Sequence, residues 1–187
     1  HGKSYAAVYE RQHAPGFRWL HESFGTNWRM LEMQAAIGRV QLRLMPEWTA
    51  QRNAHAALLR QALLPFAGPD GPVRLPELVG AESVHAQYKF YAYVRPENLA
   101  SGWSRDRIIE AINAQGVPCY QGSCSEVYLE KAFDDTGWRP TERLPIAKQM
   151  GEASLMFLVH PTLTRAEMDK AAAVAAAVLR EAASNVV

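Results

Sequence analysis

Gly25-Thr26-Asn27-Trp28-Arg29-Met30-Leu31-Glu32-Met33-Gln34-Ala35-Ala36-Ile37-Gly38 sets a polar turn directly before the start of an amphipathic helix. Gly25 lets the backbone turn tightly, Asn27 offers amide donors and Arg29 offers a fixed guanidinium fork. Leu31, Ala35 and Leu42, with Ile37, Val40 and Leu44, then supply a helical face. Free N–H groups and the dipole at such a junction suit phosphate or carboxylate. Taken alone, Asn-x-Arg before a helix is also an ordinary helix start with a solvated arginine, and both readings stand at this point.

Outward from that turn, helical spacing runs from about Met30 to Met45, breaks at Pro46, and resumes from Glu47 to Leu64 with Pro46 in the first turn of the second helix. Upstream, residues 1 to 24 are polar and irregular, with a Pro15-Gly16 turn, and read as a long loop. Downstream, Pro65 to Gly80 is rich in proline and glycine and reads as a linker. Val84 to Val94 is enriched in aromatic and β-branched residues with partial alternation, which predicts a strand. Ser104 caps a predicted helix from Arg105 to Ala114 that turns Ile108, Ile109 and Ile112 inward, with Gly116 closing it. Short strands follow at Val117–Tyr120 and Ser154–Val159, the latter after a short helix from Pro145 to Gly151. Thr164 with Glu167 makes a capping box for a last, alanine-rich helix to about Ala183. The order predicts an α+β fold: long connecting helices, then a small β-sheet packed by helices.

Composition narrows the function classes. The 187 residues are 48% hydrophobic and 21% charged, with a net charge of +1, as in a globular unit with one or two cores. Without a basic stripe, electrostatic binding to nucleic acid is not expected, and no apolar run approaches the ~20 residues of a membrane span. A cytosolic protein is the expectation. Cys119 and Cys124 have no second pair and no nearby histidine, so free buried thiols are expected rather than zinc or a disulfide. His1, His13, His21, His55 and His85 lack metal-ligand spacing, and no metal site is expected.

The full string Gly-x-Asn-Trp-Arg-Met-x-Glu-x-Gln-Ala-Ala-Ile-Gly, followed by Gln41-Leu42, resembles the DegT/DnrJ/EryC1/StrS family of pyridoxal-phosphate-dependent sugar aminotransferases. That resemblance implies the C-terminal part of a type I pyridoxal-phosphate transferase fold. Residues 1–64 would be the end of the large domain with its connecting helices, 65–82 a linker, and 83–187 the small α+β domain. It also implies a homodimer in which Asn27 contacts the cofactor phosphate across the subunit boundary and Arg29 reaches the partner's site. The cofactor would be pyridoxal 5′-phosphate, and the substrates a nucleotide-linked keto-sugar and an amino-acid donor, glutamate by analogy.

Two further strings resemble family motifs. In Gly116 to Tyr128 the family places a strand and a loop near the sugar, which makes Tyr120 a substrate-contact candidate. Here the loop reads Gln121-Gly122-Ser123-Cys124-Ser125-Glu126, a departure from the usual His-Tyr and Pro/His pattern, and Ser123 and Ser125 could equally satisfy local backbone groups. The second string, Ser154 to Thr164, resembles Ser-Leu-Pro-x-His-Pro-x-Leu-Thr, with Phe157 or its neighbour in place of the first proline. It makes His160 a candidate donor to a phosphate or carboxylate.

None of Lys3, Lys89, Lys131, Lys148 and Lys170 lies in the family's Ser-x-x-Lys context, and Lys3 sits in a polar segment that would not lower its pKa. The chain opens at His1-Gly2-Lys3, which resembles the family's mid-polypeptide Arg-x-His-Gly-Lys/Arg string. The Schiff-base lysine is therefore expected upstream, and residues 1 to 187 alone are expected to be inactive. Two alternatives stay open: a sugar dehydratase of the same family, in which histidine replaces that lysine, and a non-catalytic dimerisation or ligand-binding module.

Overall fold

The computed structural model describes residues 2–13, 20, 22–77, 80 and 84–184. The chain divides into two compact units, His1–Leu44 and Met45–Val187.

In the first unit, a π-helical turn spans Ala6–Glu10, where the sequence reads only as loop. The Gly2 carbonyl accepts from the N–H groups of Glu22 (2.8 Å) and Ser23 (3.2 Å), and Ser4 Oγ donates to Glu22 at 2.5 Å. A polar seam between distant residues therefore orders this stretch, and no local periodicity encodes it. The predicted Pro15-Gly16 turn lies outside the described residues.

Helix α1 runs from Glu32 to Leu63. Its start is marked by the Leu31 carbonyl accepting from Ala35 N–H (2.9 Å) and by the Gln34 side chain accepting from Leu31 N–H (3.0 Å), which is half of a capping box. The predicted break at Pro46 does not occur, because Pro46 lies inside one continuous helix. An interior proline removes an i→i−4 bond and costs roughly 3 kcal/mol. Burial downstream offsets that cost, since Ala56, Leu59 and Leu63 enter the core of the second unit.

The second unit is built on a four-stranded antiparallel sheet, β1 (Val73–Arg74), β2 (Phe90–Val94), β3 (Cys119–Tyr120) and β4 (Ser154–Phe157), in the order β1-β2-β4-β3. β1 falls inside the stretch read as linker. Arg95 and Asn98 make it: Arg95 Nη1 donates to the carbonyls of Gly68 (2.6 Å), Gly71 (3.2 Å) and Val73 (2.8 Å), and Asn98 Nδ2 to those of Pro69 (3.1 Å) and Gly71 (3.0 Å). Of these carbonyls, that of Gly68 also has a local partner, the Gly71 N–H at 3.0 Å, and side chains from beyond β2 fix the conformation. The strand predicted from Val84 shortens to Phe90–Val94, because Gln87 takes a left-handed φ of 45° and its N–H bonds His85 Nδ1 at 2.9 Å.

Helices α2 (Arg105–Ala114), α3 (Pro145–Ala153) and α4 (Arg165–Ala182) complete the unit. Their caps are those read from sequence: Ser104 Oγ accepts from Arg107 N–H at 3.2 Å, and Thr164 and Glu167 form the reciprocal capping box. One sheet face, with Phe90, Ala92, Val94, Cys119, Leu155 and Phe157, is buried in one cluster with Ile108, Ile109 and Ile112 of α2 and Met168, Ala175, Val178 and Leu179 of α4. The period-2 alternation of β2 puts Tyr91 and Tyr93 on the other face. The fold is α+β, as expected. Among the described residues, no helix is long and apolar enough to cross a membrane.

Candidate functional site

In the first unit the turn before α1 closes on itself: Arg29 N–H donates to Asn27 Oδ1 at 3.1 Å, the geometry of an Asx turn. The segment pairs an amide side chain with the exposed Arg29 guanidinium and the N–H groups of a helix start, a set rich in hydrogen-bond donors. That donor set fits a dianionic phosphate. Phe24, Trp28, Met30, Leu31, Met33, Ile37 and Leu42 each expose more than half of their surface, and exposed apolar side chains in such number mark an interaction surface.

In the second unit the polar face of the sheet carries the other candidates. Tyr120 on β3 stands beside Met156 on β4, which stands beside Tyr91 on β2, so the three share one face. Tyr120 is 48% exposed. Tyr91 was not singled out from the sequence: alternation puts it on this face, but only the strand order β2-β4-β3 brings it within one strand of Tyr120. Its hydroxyl lies 3.2 Å from Ser123 Oγ, in the loop that follows β3.

That loop walls an open cavity of about 500 Å³ whose polar lining includes Arg105, Gln121, Ser123, Ser125, Glu126 and Lys148. Ser154 Oγ donates to the Gln121 carbonyl, while Arg105 Nη1 donates to the carbonyls of Gly151 (2.8 Å) and Ser154 (3.3 Å). Both serines of the loop thus face the cavity, and Ser123 is tied to Tyr91 rather than to its own backbone. Of the two thiols, Cys119 is buried, and burial pushes it up to about 12; Cys124 is exposed, contrary to the expectation that both are buried. Neither is in a disulfide, and among the described residues no cluster of metal-ligating side chains forms.

Glu126 closes the far end of the loop. Arg143 grips its carboxylate with Nε at 2.9 Å and with Nη2, and Tyr128 Oη donates to it at 2.6 Å while accepting from Leu144 N–H at 2.9 Å. The Arg143 guanidinium, then the Tyr128 hydroxyl, hold this carboxyl down to about 2. A depressed folded-state value means the contribution is complete above the ordinary 4.5 and is lost as pH falls toward 2. The latch is therefore expected to contribute fully down to about pH 4.5, to weaken below it and to release only as pH approaches 2, with Glu126→Gln unlatching it at neutral pH. Carbon-detected NMR titration of the Glu126 carboxyl tests this, and a midpoint near 4.5 would remove the latch.

His160 lies three residues beyond β4 and is exposed. Thr162 N–H donates to its Nδ1 at 3.3 Å, and Thr162 Oγ1 lies 2.7 Å from the same nitrogen. With Nδ1 used as acceptor, the ring proton resides on Nε2, where it can be donated outward. A second cavity of about 380 Å³ lies between α1 and β2, lined by Asn53, Arg60, Glu77, Lys89, Tyr91 and Tyr93 among others. Asn27 and Arg29 belong to one unit, Tyr120 and His160 to the other.

The model of the DegT/DnrJ/EryC1/StrS aminotransferase family matches residues 6–178. The chain is 30% identical to the dTDP-3-amino-3,4,6-trideoxy-alpha-D-glucose transaminase of Streptomyces venezuelae over 149 residues, 79% of this chain and 35% of that protein. It is 61% identical to a solved aminotransferase from Psychrobacter cryohalolentis, with a TM-score of 0.76 over 93% of this chain and 45% of that one. NtdA from Bacillus subtilis, solved with bound cofactor PMP, shares the fold at 22% identity and a TM-score of 0.68, covering 84% of this chain and 34% of its own. The chain thus spans less than half the length of these relatives.

Proposed function

Because the chain belongs to the DegT/DnrJ/EryC1/StrS aminotransferase family, we propose that it is the C-terminal part of a pyridoxal-phosphate-dependent enzyme that moves an amino group from an amino acid, glutamate by analogy, to a nucleotide-linked keto-sugar. The single observation that carries this reading is the Asn27–Arg29 turn, whose donor set suits the cofactor phosphate and whose sequence is the family's own. When bound, the cofactor supplies an electron sink for amino transfer.

The chain's residues then bind and orient. Asn27 would donate to the phosphate of the partner subunit's cofactor, and Arg29 would fix an anionic substrate group in that same site. Tyr120 and the loop after it would wall the sugar, and His160 would donate Nε2–H to a phosphate or carboxylate. A homodimer follows from this arrangement, since each site is completed in trans, and the apolar patch from Phe24 to Leu42 is the surface that dimerisation would cover. We place residues 1–64, 65–82 and 83–187 as the end of the large domain, the linker and the small domain, in a cytosolic enzyme with no nucleic-acid or membrane partner. No lysine in residues 1 to 187 suits covalent attachment of the cofactor, so this stretch alone is expected to be inactive.

The test is the intact mass and absorbance of the full-length polypeptide before and after borohydride reduction. Cofactor fixed covalently to a lysine supports the aminotransferase. Cofactor that binds but is not fixed makes the protein the lysine-less dehydratase, and absence of cofactor makes it a binding module.

A further inference from the structure

We infer that Tyr91 and Gly151 are positioning residues that set the shape of the Gln121–Glu126 loop, and that this loop, held from outside, determines which sugar the site accepts. The second half rests on the reading of the loop as substrate wall.

The loop is clamped at several points, mostly by groups distant in sequence. Tyr91 Oη meets Ser123 Oγ at 3.2 Å, Ser154 Oγ donates to the Gln121 carbonyl, and Arg143 with Tyr128 latches Glu126. Two further points are steric. Gly122 sits at φ +96°, and a Cβ there would lie 2.8 Å from Tyr91 Cε1, so the loop backbone passes close against the tyrosine ring. Gly151 does the same from α3, where a Cβ would overlap Ser125 Oγ. The ring at 91 and the hydrogen at 151 are both in close contact with this loop path, and along it Ser123 and Ser125 line the cavity of about 500 Å³. Tyr91 also lines the cavity of about 380 Å³. Hydroxyl donors on a backbone that cannot shift discriminate among sugar hydroxyl patterns in a way that a mobile loop cannot.

The two thiols provide the measurement. Cys124 is exposed on the loop and reports its freedom, whereas Cys119 is buried in the core beneath and reports loss of the fold. Site-resolved labelling of the 187-residue chain with N-ethylmaleimide, followed by mass spectrometry, is expected to show Tyr91→Phe speeding Cys124 modification about 3- to 10-fold, the population change that one lost hydrogen bond produces. Gly151→Ala is expected to speed it as well, although alanine is the better helix former, which separates loop displacement from destabilisation. Faster labelling confined to Cys124 in either variant supports the clamp. An unchanged Cys124 rate in both variants, or Cys119 reacting along with it in both, overturns it. Protection of Cys124 by millimolar dTDP-glucose in the unmodified chain tests the substrate-wall reading separately: its absence removes that reading and leaves the clamp standing.

Discussion

Phe157→Ala is expected to lower the unfolding free energy by about 3–5 kcal/mol, the range for emptying a large aromatic site in a packed core. Phe157 is 1% exposed at the end of the central strand β4, level with Phe90 on one side and Cys119 on the other. Its ring lies 6.3 Å from that of Phe90 at 55°, an aromatic pair whose geometry contributes beyond area alone. The surrounding groups cannot close the gap, because they come from a three-strand ladder. Phe157→Leu keeps most of the volume and should cost less than half as much. Urea unfolding followed by far-ultraviolet circular dichroism reads both variants, and an alanine effect below about 1 kcal/mol would show that the site collapses freely.

Asn27→Ala is expected to weaken binding of pyridoxal phosphate to the full-length dimer by about 10- to 100-fold, the effect of deleting one hydrogen bond to a charged group. Arg29→Ala should instead leave cofactor affinity close to its starting value and raise KM for an anionic substrate. The proposed trans arrangement makes a sharper demand. At a cofactor concentration too low to load Asn27→Ala alone, mixing its subunits with subunits that lack the Schiff-base lysine should restore activity that neither then shows, since the mixed dimer has one site with both groups. Cofactor affinity unchanged by Asn27→Ala would remove the phosphate role. Mixtures as inactive as their parts would place both groups on the same subunit.

Much of the fold was legible because it is locally encoded. Ser104 and Thr164 begin α2 and α4 through side chains that reach only three residues along the chain, and the isoleucines of α2 repeat with the helical period. Pro46 misled, since the penalty it imposes is local while the burial of Leu59 and Leu63 that outweighs it is tertiary. β1 and the short β2 went unread for the same reason: the Arg95 clasp and the left-handed Gln87 leave no periodic trace. The sequence by itself determined the α+β class, the caps and, through one contiguous string from Gly25 to Gly38, the family, because motifs that bind phosphate at a helix start are short and continuous. Only the tertiary structure decided that Tyr91 shares a face with Tyr120, that Ser123 is held by a tyrosine 32 residues upstream, and that Cys124 is exposed while Cys119 is buried. Strand order sets those proximities, and strand order is the outcome of global packing rather than of any segment's own preference.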